Sequence, residues 1–580
     1  MLIRHISIDN FRGIKSLDWH VDGWLICLIG PGDSTKTTIL DAIELALLPR
    51  WNIPFSDADF YKADTTSPIR IQVTLGHLTD DLLSEDRCGL FLRGYKPFKP
   101  FNDDPDDGWE PVVTLRLRVG DDLEPHWELV KDAVNEAKQL SWRDRERFCM
   151  ARLGNDVERH LTWSRGSALA RITENASDAN SMLALVNRAA NEAIFSTSQK
   201  ELASAAYRAK TAAKRFGVQL PDLSAGLDTR SQGFGTGALS LHDSSRVPVR
   251  ATGLGSRRLT GLAIQHEGLG ADSILLIDEI EHGLEPHRIR RLIKRLCEDR
   301  LPDAKSKEQP VAKGQVITTT HSPTPIMSLD VKSLRFVRSK NGVTSVTHVH
   351  GSQVEALQPI ARTYSHAFLA RKIVVCEGKT EEAMLRGLDD LWEKLHDGSS
   401  FATCGVVPIN GGGRSSGPPI AIEFRRLGYD VTFLGDSDEP LSVSASEMEN
   451  LGITVSLWPG NMATEERVCT DIPLIALQQF LTIATERFTE ATVRESLKKQ
   501  LGTALPKCEL QIDTLIANGL SEEVLRRAIG KAAKSKGGEW FKDITTGELL
   551  GGVIAAHLAE IPSSPLAKTL SVLEGWVYAE

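Results

Sequence analysis

Two groups of residues have types and spacings suited to chemistry. The first is Gly30-Pro-Gly-Asp-Ser-Thr-Lys-Thr-Thr38, which follows the apolar run Trp24–Ile29. A helical pattern comes next, with Ile39, Leu40, Ala42, Ile43 and Leu47 on one face. Backbone N–H groups of a glycine-containing turn that opens a helix cradle phosphates. A lysine there reaches the outer phosphates, and the neighbouring hydroxyl reaches Mg²⁺. Gly30, Gly32, Ser34, Thr35, Lys36, Thr37 and Thr38 are the phosphate-contacting candidates, with Lys36 and Thr37 in those two roles. The spacing fits G-x4-G-K-[ST] except at Thr35, which replaces the second glycine. If that position needs a left-handed backbone, a Cβ costs roughly 1–2 kcal/mol.

Two later pieces belong with this loop. The apolar run Ser273–Ile277 ends at Asp278-Glu279, and a strand pattern over 315–320 ends at His321. Asp278 suits the water shell of a bound metal, and Glu279 suits orienting or deprotonating an attacking water. His321 is a candidate sensor of the terminal phosphate. The plainer alternatives are capping acids and a structural histidine.

The second group is acidic. Glu377 and Glu381 follow the strand pattern Lys372–Cys376, and Asp436 and Asp438 follow Asp430–Leu434. Ligands of an open α/β sheet bind at the carboxyl ends of its strands, near a switch point. If these strands are neighbours, Glu377, Asp436 and Asp438 converge within a few ångströms. Hard carboxylate oxygens suit Mg²⁺ or Mn²⁺. Without a cation such groups repel one another, and their pKa values rise. The alternative is helix capping by Thr380 and Asp438.

The elements that must position these groups are legible in outline. The chain has 580 residues and a net charge of −9, with 41% apolar and 25% charged residues. That length predicts about three to five structural units. The composition excludes wholesale disorder, a fibrous repeat and a disulfide mini-scaffold. No run approaches the ~18–20 apolar residues of a membrane span, and MLIRHISIDNFRG has no signal-like apolar stretch. The eight cysteines form no CxxC pair, which argues against a zinc site and against a disulfide framework. A cytoplasmic protein without membrane association is the expectation.

Strands are expected at 69–78 and 112–119. A helical insertion, a possible dimerisation arm, is expected over about 128–225, with a glycine-rich loop over 217–250. Beyond about residue 370, strand and helix patterns alternate through 457, which predicts a doubly wound parallel sheet. The remainder, 466–580, reads as mainly helical.

The order of phosphate loop, acid pair and histidine resembles ATP-binding-cassette-type heads of chromosome-maintenance and recombination-repair ATPases. Ile6-x-Ile8-x-Asn10-Phe11-Arg12 looks like their first strand, and Gly253-Leu-Gly-Ser256 lies where they carry a signature motif. Glu377-Gly-x-x-Glu381 followed by Asp436-x-Asp438 resembles the Toprim domain. A head over 1–370, a Toprim core over 371–465 and a helical extension over 466–580 together resemble the OLD (overcoming lysogenisation defect) nucleases. That family includes the nuclease subunit of the Gabija antiphage system.

The resemblance implies ATP as cofactor of the head, and Mg²⁺ or Mn²⁺ held by Glu377, Glu381, Asp436, Asp438 and a further acid, Glu465 or Glu466. It implies catalysis by Glu377, Asp436, Asp438 and a late lysine, for which Lys542 is the match, and by Glu279 in the head. A surface lysine beside a packed Trp540-Phe541 pair is the alternative for Lys542. Double-stranded phage or plasmid DNA, a dimeric or tetrameric assembly and a defence partner are the implied associates.

Basic stretches at 287–295, 250–258 and 526–536 are candidates for phosphate-backbone contact, or solvated helix faces. Other readings are a Toprim nuclease acting on RNA and a non-nucleolytic ATP-dependent DNA clamp or repair scaffold. A topoisomerase-like strand breaker would need a nucleophilic tyrosine, and none of the six tyrosines stands in a recognisable context.

Overall fold

The computed structural model describes residues 1–50, 53–84, 87–103, 108–132, 137–148, 150–153, 157–164, 167–173, 200–227, 239–269, 273–300, 314–351, 353–535 and 538–579. The chain divides into two compact units, Met1–His348 and Val349–Glu580.

In the first unit the strands are β1 (Leu2–Phe11), β2 (Ile14–His20), β3 (Leu25–Ile29), β4 (Ile69–Gly76), β5 (Arg93–Tyr95), β6 (Glu110–Val119), β7 (Pro125–Val130), β8 (Lys138–Gln139), β9 (Met150–Leu153), β10 (Ser224–Leu227), β11 (Leu239–His242), β12 (Ile274–Ile277), β13 (Gln315–Thr319), β14 (Leu334–Lys340) and β15 (Val343–His348). Thirteen of them form one sheet in the order β8-β7-β6-β4-β1-β2-β15-β14-β3-β13-β12-β9, with β5 pairing β6. The segment β14-β3-β13-β12-β9 is parallel. From β8 to β2 every neighbouring pair is antiparallel.

The sequence explains the difference between the two parts. β3 reads LICLI with every residue buried, as a strand covered on both faces must. β2 alternates buried and exposed positions, as a strand with one wet face does. The helix Lys36–Leu47 buries Ile39, Leu40, Ile43 and Leu47 at three- and four-residue spacing. They join Ile26, Leu28, Leu276 and Ile317 in one core. Each such side chain contributes about 1.5–3 kcal/mol by leaving water.

The expected helical insertion over 128–225 is corrected by the structure. That stretch includes β7, β8 and β9, and begins β10. β9 completes the parallel sheet beside β12, so part of the stretch is core. Its short helices and the longer helix Lys200–Arg215 match the expectation, while 174–199 lie outside the described residues. The expected 217–250 loop contains the antiparallel pair β10 and β11, and its residues 228–238 lie outside the described residues.

In the second unit, β16 (Lys372–Cys376), β17 (Val406–Asn410), β18 (Asp430–Gly435) and β19 (Thr454–Leu457) form a parallel sheet in the order β17-β16-β18-β19. The unit begins at Val349 rather than near 371. The physical reason is packing upstream of β16: the Phe368 ring lies 5.2 Å from that of Phe424, and the buried Tyr429 hydroxyl donates to the Phe368 carbonyl at 2.7 Å.

Helices fill 464–578, as the pattern predicts. Helix Lys379–Leu395 crosses helix Ile544–His557 so closely that a Cβ on Gly387 would meet the Glu548 carbonyl at 2.2 Å. Among the described residues no single helix is long and apolar enough to cross a membrane. The pair Ile544–Glu560 and Pro565–Tyr578 passes by composition but bends by 103°, and its Leu550, Ile554, Leu566 and Leu570 lie in the core.

Candidate functional site

The first unit assembles the phosphate loop between three strand ends. β13 lies between β3 and β12, so His321 follows a strand flanked by those leading to the loop and to Asp278. A Cβ on Gly30 would meet the Val337 carbonyl at 2.4 Å, which explains that glycine by close approach. Thr35 adopts φ 68°, ψ 15°, the left-handed conformation. The chain therefore accepts the strain a glycine would avoid. The Thr35 hydroxyl donates to the Ser34 carbonyl at 2.6 Å and lies 3.2 Å from Thr344 Oγ1.

Lys36 is buried at the start of its helix. Its ammonium donates to the Gly30 carbonyl (3.1 Å), the Pro31 carbonyl (2.8 Å) and Ser34 Oγ (3.0 Å). Burial, with Arg338 nearby, pushes its pKa down to about 8. An arriving phosphate would raise that pKa again and replace carbonyl contacts with stronger charged ones. Gly32 and Thr37 are exposed and Thr38 is half-buried in the first helical turn.

Thr37 Oγ1 donates to Asp278 Oδ1 at 3.3 Å, so the expected metal-side hydroxyl and acid do meet. Thr319 Oγ1 also donates to Asp278 Oδ1, at 2.7 Å, and accepts from the Glu279 amide at 2.8 Å. Glu279 is exposed, at φ 44°. Glu281 accepts from Thr320 Oγ1 and from the His321 amide, each at 2.7 Å. His321 itself is exposed.

Two arginines organise this region: Arg152, which the sequence reading missed, and Arg258, which that reading placed in a basic stretch for phosphate contact and which instead binds backbone carbonyls. Arg152 on β9 pairs with Asp41, Glu44 and Asp278. Arg258 donates to the carbonyls of Asp278, Glu279 and His282. The Arg258 helix begins at the Gly253-Leu-Gly-Ser256 segment, where a Cβ on Gly255 would meet the Gly283 carbonyl at 2.6 Å. The signal for Arg152 was hidden because its strand reads as part of a helical stretch.

The second unit gathers the acids at the carboxyl ends of β16 and β18, which are neighbours flanking the switch in strand order. Glu377 Oε2 accepts the Asp436 amide at 2.9 Å. The Thr464 hydroxyl bridges Glu381 Oε1 (2.6 Å) and Asp436 Oδ1 (3.0 Å). Glu381 Oε2 also accepts the Gly378 amide at 2.7 Å. Glu465 is buried and accepts from Thr380 Oγ1 at 3.3 Å.

The expected convergence of three carboxylates on one point is not met. Among the described residues, no three ligand atoms of these acids lie within 4.8 Å of one another. Cations occupy part of the space instead. Arg414 reaches Glu377 (3.4 Å), Asp438 (3.3 Å) and Glu439 (2.8 Å). Lys534 pairs with Asp438 and lies 3.5 Å from Glu466. Glu466 is thus the lysine's partner, and Glu465 the buried acid.

Lys542, the lysine singled out in the sequence, pairs with Glu539 at 3.0 Å and is half-exposed. Its neighbours Trp540 and Phe541 are fully buried, as the surface-lysine alternative requires. Lys534 is the late lysine that pairs directly with the acids, while Lys542 acts on buried Glu465 through its charge. Lys534 went unnoticed within the basic 526–536 stretch, where it follows Lys531 by three residues.

The electrostatics separate the acids. Burial and the neighbouring carboxylates Glu381, Glu377 and Glu465 push Asp436 up to about 8. Burial, with Glu465 beside it, pushes Glu381 up to about 7. Glu377 and Glu465 are raised, chiefly by burial. Asp438 is lowered, its burial outweighed by Lys534 and Arg414. A divalent cation would relieve the repulsion among Glu377, Glu381 and Asp436, so the donor chemistry fits Mg²⁺ or Mn²⁺. All three supply hard oxygens, and Asp438 would join once Arg414 or Lys534 moves.

Residues 117–326 match the family model described as "AAA domain, putative AbiEii toxin, Type IV TA system". The match spans Asp278, Glu279 and His321 and begins beyond the phosphate loop. No curated protein matches this chain. Similar solved structures include an Smc head bound to the C-terminal winged-helix domain of ScpA, at 15% identity and TM-score 0.38, covering 60% of this chain and 98% of that one. An Smc head with an extended coiled coil, bound to the C-terminal domain of ScpA derived from Pyrococcus furiosus, is 15% identical at TM-score 0.37, covering 63% and 99%. The SMC head domain from Thermotoga maritima is 13% identical at TM-score 0.30, covering 60% and 100%. With its family match and its assembled phosphate loop, the chain carries an ATP-binding, AAA-type ATPase region.

Proposed function

We propose that the chain is a divalent-metal-dependent DNA endonuclease governed by its ATP-binding region, working in bacterial antiphage defence with a partner. The observation that carries this reading is the placement of Glu377 and Asp436 at adjacent strand ends, where the Glu377 carboxylate accepts the Asp436 amide at 2.9 Å and Glu381 and Glu465 lie near enough to raise Asp436. Buried acids with raised pKa values in such a place mark functional sites. Mg²⁺ or Mn²⁺ held there would polarise a phosphodiester and stabilise the leaving oxygen. The chain's own contribution is the placement of Glu377 and Asp436 by rigid strands, with Lys534 and Arg414 as cations beside the scissile phosphate. The toxin description of the matched family supports a role in defence.

The test is cleavage of supercoiled plasmid by the full-length protein with Mg²⁺ or Mn²⁺, with and without ATP. Nicking that disappears in Glu377→Gln supports the reading. A Lys36→Ala variant, deprived of phosphate binding, then reports whether ATP restrains or licenses the cut. Absence of cleavage on DNA, with cleavage of an RNA substrate, would favour the RNA variant. A second reading, an ATP-dependent clamp without nuclease activity, is favoured by the ion pairs that already neutralise Asp438. It predicts that Glu377→Gln keeps biological activity while Lys36→Ala loses it.

A further inference from the structure

We propose that His5, Asp18 and His20 form a site for a divalent transition-metal ion of the zinc type, in the first unit and independent of the acidic cluster of the second. His5 lies on β1 directly opposite His20 on β2, and Ser7 is opposite Asp18. Asp18 and His20 are two residues apart on one strand, so both face the same side. Asp18 is then the diagonal neighbour of His5. The other face of β2 sends Leu17 and Trp19 into the core, which fixes the register and with it the three side chains.

One ligand atom from each residue lies within 4.8 Å of the other two. No other group of three His, Cys, Asp or Glu side chains does this among the described residues. His5 Nε2 and Asp18 Oδ1 are 3.2 Å apart. Tetrahedral zinc with bonds of about 2.0–2.1 Å spaces its ligands by about 3.3 Å. That edge of the triangle already has the dimension a metal would impose.

A second observation points the same way. Nδ1 of His20 is buried and has no hydrogen-bond partner among the described residues. Leaving such a nitrogen unpaired costs about 1–3 kcal/mol. A side wall of aromatic rings holds both imidazoles: His20 lies 6.4 Å from Tyr95 and 6.2 Å from Phe98, and His5 lies 5.6 Å from Phe101. The Asp18 side chain is 72% exposed, which leaves a route from solvent.

The donor set decides the class of ion. Two imidazoles and one carboxylate suit zinc and its first-row neighbours, whereas Mg²⁺ and Ca²⁺ take oxygen shells. Three protein ligands leave one position for water or an incoming donor. Such a site needs no cysteine, so the lack of a CxxC pair does not oppose it. It would clamp β1 to β2.

The test is titration of Co²⁺ into the full-length protein, read by the visible bands of tetrahedral cobalt, with Zn²⁺ as competitor. The expected result is one equivalent with a tetrahedral spectrum, bleached by Zn²⁺. Asp18→Asn, an exposed change that spares the core, should weaken binding at least ~10-fold, and His20→Gln should remove the spectrum. Glu377→Gln should leave both unchanged. A tetrahedral spectrum that persists in Asp18→Asn and His20→Gln, or no tetrahedral spectrum in the unsubstituted protein, overturns the proposal.

Discussion

Replacing Thr35 by glycine and by alanine separates backbone strain from hydrogen bonding in the phosphate loop. Thr35 sits at φ 68°, ψ 15°. A residue with a Cβ pays roughly 1–2 kcal/mol for that conformation, and glycine does not. The hydroxyl works in the opposite direction through its 2.6 Å bond to the Ser34 carbonyl and its 3.2 Å approach to Thr344. A net hydrogen bond is worth about 0.5–1.5 kcal/mol. Thr35→Ala keeps the strain and loses the hydroxyl, so it should cost about 1 kcal/mol locally. Thr35→Gly loses the same hydroxyl but sheds the strain, and should be about 1 kcal/mol more stable than alanine. At an ordinary helical position the order reverses, with glycine roughly 0.5–1 kcal/mol worse. The assay is hydrogen exchange of the amides of residues 36–40, which reports local opening. A difference of about 1 kcal/mol is roughly fivefold in protection. Alanine protected as well as glycine, or better, would refute the strain argument.

Other expectations concern charge. Between the ordinary carboxylate pKa near 4 and about 7–8, the folded second unit holds more protons than the unfolded chain, because Asp436 and Glu381 are raised. Metal-free stability should therefore fall as pH rises from 5 to 8; Mn²⁺ should reverse the fall and Asp436→Asn flatten it, as melting curves would show. Lys534→Ala removes the cation paired with Asp438, and should lower plasmid cleavage about 10–100-fold. Lys542→Ala, which breaks an exposed pair with Glu539 and removes a charge felt by Glu465 without direct pairing, should change it less than about twofold. Arg152→Ala leaves Asp41, Glu44 and Asp278 without their shared cation, and should cost about 3–5 kcal/mol in unfolding of the first unit.

Local patterns were readable where chemistry and secondary structure coincide in sequence. The loop at Gly30–Thr38, the strand before Asp278 and the four parallel strands from Lys372 to Leu457 each announce themselves within about ten residues. The position of Thr35 was legible as a conditional cost, and its left-handed backbone meets the condition. Long-range partners were not legible. Arg152 reaches Asp278 across 126 positions, and Lys534 reaches Asp438 across 96. No periodicity encodes such pairs. The four residues of β9 are too short to display strand alternation, so the helical composition around them prevailed. Lys542 was singled out by resemblance, as a lysine late in the chain, and the buried Trp540 and Phe541 beside it fit the alternative of a surface lysine next to a packed pair.

The place of β3 has a consequence for synthesis on the ribosome. This strand of five buried residues leads into the phosphate loop, and its two neighbours are β13 and β14. Both are made about 300 residues later. At roughly 5–20 residues per second, Leu25–Ile29 waits about 15–60 s with both edges unpaired. An apolar strand with open edges is a template for wrong pairing. Chaperone dependence, and sensitivity of soluble yield to translation rate, should therefore concentrate in the interval before residue 336 emerges.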